Sequence, residues 1–92
     1  MKEVRNNEAE SRYELATPEG IALAAYQLRG EVIAFTHTEV PEALEGQGIG
    51  GALVAGALVD VRERKLVVLP LCSFVRHYVE IHAEVQDLLA RQ

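Results

Sequence analysis

The stretch EGQGIGGAL, Glu45 to Leu53, sets four glycines, Gly46, Gly48, Gly50 and Gly51, within six positions at the head of a long apolar segment. A glycine in a helix interior costs roughly 1 kcal/mol relative to alanine. Yet from about Gly48 to Arg64 the apolar residues Ile49, Ala52, Leu53, Leu58 and Val61 recur at helical spacing. Val54, Ala55 and Val59 make further faces apolar, which calls for cover on both sides. Arg62, Arg64 and Lys65 close the segment with the charge that suits a helix C-terminus. The glycines therefore sit at a helix N-terminus. The first N–H groups of a helix have no partner and carry partial positive charge. Without side chains in the way, an anion can reach them directly.

The flanks place this helix in a fold. SRYELAT, 11–17, alternates, with Tyr13 and Leu15 on one face. TPEG, 17–20, is a tight turn with Pro18 presetting φ. IALAAYQL, 21–28, is a second strand, Arg29-Gly30 a second turn, and EVIAFTHT, 31–38, a third strand rich in β-branched and aromatic residues. Two short turns joining three strands make an antiparallel meander. EVPEALE, 39–45, is a polar loop into the glycine turn. Beyond the helix, LVVLPL, 66–71, is short and continuously apolar, a buried strand expected to lie parallel to the third. FVRHYVEIH, 74–82, is a second helix, and EVQDLLA, 84–90, continues it or adds a helical turn. The order is β-β-β-α-β-α, an α+β fold with a mixed sheet. Ligands of such units bind beyond the carboxyl ends of the strands. Here that means Thr36–Val40, Glu45–Gly51 and Leu71–Ser73.

Length and composition narrow the classes. The 92 residues suffice for one domain, read as 11–92, behind a polar N-terminus, 1–10, expected to fray. The formal charge is −5 and Lys and Arg form no dense run, so no nucleic-acid partner is expected. The start has no apolar signal region, and the run Gln47–Val59 is too short and glycine-rich to span a bilayer. The single cysteine, Cys72, allows no internal disulfide; these features favour the cytoplasm. A thin core and a helix apolar on several faces leave a monomer or a homodimer open.

The glycines admit three readings. Gly46, Gly48 and Gly51 formally satisfy G-x-G-x-x-G, but the turn follows seven loop residues and LVVLPLCSF carries no acid for a ribose, against a dinucleotide site. Close packing explains Gly50, Gly51 and Gly56 and leaves Gly46 and Gly48 outside the helix unexplained. The third reading is a resemblance. HTEVPEALEGQGIGGALV is similar to the cofactor segment of the GNAT superfamily of acetyl-CoA-dependent N-acetyltransferases, with Gly48 and Gly50 at its two small positions. PLCSFVRHYVEIH resembles the segment that follows in a minimal, YjdJ-like group of that superfamily. The likeness covers roughly residues 11–90 and implies a small acyl-CoA N-acyltransferase fold, acetyl-CoA or coenzyme A as cofactor, and an amine on a small molecule or peptide as acceptor. Two departures stand out. Glu45 occupies the position usually held by Arg or Gln, and TPEG leaves no room for the helices that help form the acceptor site in larger members.

The resemblance implies that Val40, Gly46, Gln47, Gly48, Ile49, Gly50, Gly51, Cys72 and Arg76 face the cofactor. His37, on the glycine-turn side of its strand, is a candidate general base. Cys72 at a helix start favours thiolate and is a candidate acetyl acceptor or proton donor to the departing thiolate. Arg62, Arg64 and Lys65 are read as solvated charges, Tyr78 as core, and His77 and His82 as structural, since with Cys72 they match no zinc spacing. Glu39, Glu42 and Glu45 are expected to point away from an anionic cofactor. The rival class is a coenzyme A-binding module without catalysis.

Overall fold

The computed structural model describes residues 3–90. Five strands run β1 Val4–Asn7, β2 Arg12–Thr17, β3 Gly20–Arg29, β4 Val32–Glu39 and β5 Val67–Pro70. Helix α1, Ile49–Glu63, joins β4 to β5, and α2, Ser73–Ile81, follows β5. Short 3-10 turns cover Glu8–Glu10, Glu42–Leu44 and Ala83–Leu88. The last of these is a separate turn after α2 rather than its continuation. The sheet order is β1-β2-β3-β4-β5, antiparallel up to β4 and parallel between β4 and β5.

Alternation along the strands sorts the core. Tyr13, Leu15, Ala22, Ala24, Tyr26, Ile33, Phe35 and Val68 are buried on one face. Leu53, Val54, Ala57, Leu58 and Val61 of α1 and Val75 and Val79 of α2 close over them. Both helices lie on this face, where the Phe74 ring packs on Gly50. The Tyr13 hydroxyl donates to Asp60 at 2.7 Å and ties β2 to α1. Burial, then the Asp60 carboxylate, pushes that phenol well above its ordinary pKa. The cover of α1 is partial on its outer side, where Val59 is exposed. The opposite sheet face is open, with Ile21 exposed and Leu23, Ala25 and Ala34 half-buried.

The expectation that residues 1–10 fray is corrected for Val4–Asn7. Val4 pairs with Leu15 and Asn7 with Arg12, Asn6 accepts from the Tyr26 hydroxyl at 2.6 Å, and Val4 packs over Gly56 of α1. Residues 1, 2, 91 and 92 of the two expected segments lie outside the described residues.

One irregularity positions the site. Ala25 pairs with His37 and Tyr26 with Phe35, so Thr36 is an extra residue on β4. Such a bulge reverses the alternation beyond it. Phe35 faces the core, but after the bulge Thr38 is paired with buried Ala24 and takes that face. His37 and Glu39 turn to the open face opposite Ala25 and Leu23.

Candidate active site

The β4–β5 ladder stops at Phe35 and Pro70, and β4 runs on to Glu39 paired only with β3. A cavity of about 410 Å³ opens between this free end of β4 and the start of α1. Thr38, Val40, Leu44, Glu45, Gly46, Gly48, Ile49, Gly50, Gly51 and Phe74 line it. Gly46 and Gly48 have φ of +83° and +78°, the left-handed region that side chains disfavour. Neither has an atom within 4 Å of where a Cβ would stand, so the backbone turn itself is what requires glycine there. Among the described residues, the N–H groups of Gly46, Gly48, Ile49, Gly50 and Gly51 have no backbone acceptor; the first helical bond runs from Ala52 N to Gly48 O at 3.0 Å. These donors, at the positive end of a 15-residue helix, form a cradle for an anionic oxygen.

The two helical glycines, read alike in the sequence, do different work. Gly50, not Gly51, serves close packing: a Cβ on Gly50 would collide with Cζ of Phe74, whereas one on Gly51 would meet nothing within 4 Å. Successive helical residues point about 100° apart, so one glycine meets α2 and the next borders open space.

Cys72 caps the start of α2, and its N–H donates to Phe35 O at 2.9 Å. Its Sγ lies 3.2 Å from Thr38 Oγ1, across the point where β4 and β5 part. Burial pushes the thiol up, but the Thr38 hydroxyl and the backbone N–H groups of Val75 and Phe74 outweigh it, and Cys72 sits below its ordinary pKa. Thr38 lines the cavity, so Cys72 stands directly behind its wall.

Of the other candidates, Gln47 is exposed and donates to Ala43 O at 3.3 Å, beside the cavity rather than in its lining. Arg76 folds back on the β5–α2 connection, 3.5 Å from Pro70 O and 3.4 Å from Leu71 O. His37 stands on the open face, with Nε2 2.7 Å from Glu39 Oε2, rather than on the glycine-turn side. Arg62 makes a two-pronged pair with Asp87, and Arg64 bonds Asp60, both at the far end of α1. Glu45 departs from expectation, since it lines the cavity, whose lining contains no Lys or Arg. Tyr78 stacks on His82, ring centroids 3.8 Å apart, and His82 Nδ1 donates to Tyr78 O at 2.7 Å. A second cavity, about 470 Å³, runs on from the first between α1 and α2, sharing Gly51 and Phe74.

Residues 12–88 match the family model described as GCN5-related N-acetyl-transferase. The chain belongs to the GCN5-related N-acetyltransferase family. Among solved structures it is similar to a GCN5-like protein from Staphylococcus aureus determined in solution by NMR, at 27% identity and a TM-score of 0.75, over 98% of this chain and 89% of that one. No curated protein sequence matches it. The α+β expectation is thus met by a mixed five-stranded sheet of this family's fold, and family and fold make the chain an acetyltransferase. Members of the GCN5-related N-acetyltransferase family generally use acetyl-CoA. Among the described residues, no helix is long and apolar enough to cross a membrane.

Two lining residues, Leu44 and Phe74, lie outside the stretches expected around the ligand; Thr38 and Glu45 lie inside them but were not expected to face it. Phe74 carried no local signal, because its approach to Gly50 depends on how α2 packs on α1. Nor did Thr38, because its direction depends on the bulge.

Proposed function

We propose that the protein binds acetyl-CoA and transfers its acetyl group to an amine on a small molecule or peptide. The observation that carries this reading is the set of free N–H groups at Gly46 and Gly48 to Gly51, opening into a cavity beside the unpaired end of β4. A pyrophosphate suits the cradle. The pantetheine arm, an extended amide chain, suits the edge of β4 beyond Phe35, which no strand pairs.

In this reading the thioester lies near Thr38. The acceptor nitrogen bonds to the thioester carbonyl carbon, its proton passes to His37, and the C–S bond breaks with its electron pair on sulfur. Cys72, with its thiol below the ordinary pKa, is the group that reprotonates the departing thiolate. The acceptor approaches the open sheet face that His37 occupies. We place the chain in the minimal, YjdJ-like group on the strength of HTEVP and LCSF, and in the cytoplasm on its single unpaired cysteine.

Glu45 favours one other reading. A carboxylate in the wall of an anion site, without a neighbouring cation, weakens the grip and suits a coenzyme A-binding module that does no chemistry. Release of free thiol from acetyl-CoA across an amine panel separates the two. Turnover that falls at least tenfold in His37→Ala or Cys72→Ala, with coenzyme A binding retained, supports the transferase. Tight binding with no turnover on any amine leaves the module.

A further inference from the structure

His37 and Glu39 stand two residues apart on the extended end of β4, on the same open face. Nε2 of His37 and Oε2 of Glu39 are 2.7 Å apart. An ionised carboxylate can only accept, and a neutral imidazole carries one N–H. The contact therefore places the hydrogen on Nε2 and leaves the lone pair on Nδ1. The strand partners of these two residues, Ala25 and Leu23, offer the ring no polar side chain. Arg12, the cation within the field of Glu39, is engaged by Glu14 at 2.6 Å. Both side chains are about 60% exposed (59% and 61%), and a solvated pair of this kind contributes little to stability. Holding the fold together is not what the contact does best.

We propose that Glu39 is a positioning residue for His37: it fixes the ring and the Nε2–H tautomer so that Nδ1 is the nitrogen that takes the acceptor's proton. The inference rests on the reading of His37 as general base. The amine nitrogen forms its bond to the acetyl carbon, sulfur leaves with the C–S pair, and the amine proton ends on Nδ1. The imidazolium so formed has its charge beside the Glu39 carboxylate, which favours it.

Nitrogen NMR of His37 and steady-state acetyl transfer test this on the full chain, in wild type, His37→Ala, Glu39→Ala and Glu39→Gln. In wild type, neutral His37 is held in the Nε2–H form. Glu39→Ala lets the Nδ1–H form appear and lowers kcat about tenfold, a part of the 10²–10⁴ a general base supplies. KM for acetyl-CoA stays unchanged, because Glu39 lies outside the cavity lining. Glu39→Gln, whose amide oxygen still accepts from Nε2–H, keeps the tautomer and restores kcat to within about threefold. The same tautomer ratio in wild type and Glu39→Ala overturns the proposal. So does an unchanged kcat in Glu39→Ala alongside a large loss in His37→Ala, which would leave the base reading intact. Full activity in His37→Ala overturns both.

Discussion

Replacing Gly51 by alanine should stabilise the protein while weakening its hold on coenzyme A. Gly51 is the third residue of α1, with nothing within 4 Å of where its Cβ would stand. Its backbone is helical and needs no glycine. Alanine in a helix is favoured over glycine by up to about 1 kcal/mol; in this first turn about half of that is a fair floor. For a domain of this length each 1 kcal/mol moves Tm by roughly 4–8 °C, so a rise of about 2–8 °C is expected. The open space that makes the change harmless to the fold is the space the ligand needs, since Gly51 lines both the cavity at the end of β4 and the one between α1 and α2. A methyl there keeps a phosphate oxygen from one of the free N–H groups. A hydrogen bond to a charged partner contributes about 1.5–3 kcal/mol, which makes the expected loss in affinity roughly 10–150-fold. Differential scanning calorimetry and titration calorimetry with coenzyme A read the two effects separately. A variant that is both stabilised and binds coenzyme A as tightly as wild type would refute the placement of the ligand on this helix start. A destabilised variant would refute the account of Gly51 as a residue kept open for function.

Thr38→Val removes the hydroxyl 3.2 Å from Cys72 Sγ, so the thiol pKa rises and alkylation of Cys72 at neutral pH slows; an unchanged rate would show that Thr38 does not tune it. Gly56→Ala pushes a methyl into Val4 Cβ, a contact of 2.7 Å that only a shift of β1 relieves. Overpacking outweighs the gain in helix propensity, giving a net loss of about 1 kcal/mol and faster amide exchange in β1. Lys65→Gly relieves a left-handed residue (φ +59°) at the end of α1, where Lys65 N bonds Arg62 O and Leu66 N bonds Val61 O; chemical denaturation should show a gain of about 0.5–1 kcal/mol. Glu14 is held below its ordinary pKa by the Arg12 guanidinium and the Asn7 amide. Its folded pKa lies below the unfolded one, so its stabilising share is full above the unfolded value and fades as pH falls through the depressed value. Urea midpoints should therefore fall less steeply from neutral to acid pH in Glu14→Gln than in wild type.

Most elements were legible because their patterns are local. Alternation in SRYELAT and EVIAFTHT marks strands observed at Arg12–Thr17 and Val32–Glu39, and the apolar spacing after Gly48 marks α1. β1 was not legible: its sequence VRNN holds one apolar residue, and what orders it is a distant glycine, Gly56, that lets Val4 lie against α1. The glycine turn was legible as a cradle, since Gly46 and Gly48 fall before the helix and need no long-range contact to explain them. The division between Gly50 and Gly51 was not, because it depends on where α2 brings Phe74. Glu45 shows the same limit. Charge alone turned it away from an anion site, but the short turn Glu42–Leu44 buries Leu44 and carries its neighbour into the cavity wall.

The bulge at Thr36 has the largest effect on the site. Strict alternation continued from Phe35 would put His37 and Glu39 on the helix side and Thr38 outside. One extra residue in β4 inverts this. Thr38 then meets Cys72 at the cavity, and His37 meets Glu39 on the face that no helix covers. The two groups proposed for proton transfer are thereby set on opposite sides of one strand: one beside the leaving sulfur, the other beside the incoming amine. A thioester in line between them belongs at the edge of β4 beyond Phe35, where the β4–β5 ladder has ended. Acceptor and cofactor can then approach from opposite faces without competing for one cavity. Under the proposed reaction the open face gives the amine its approach despite the short Pro18 turn.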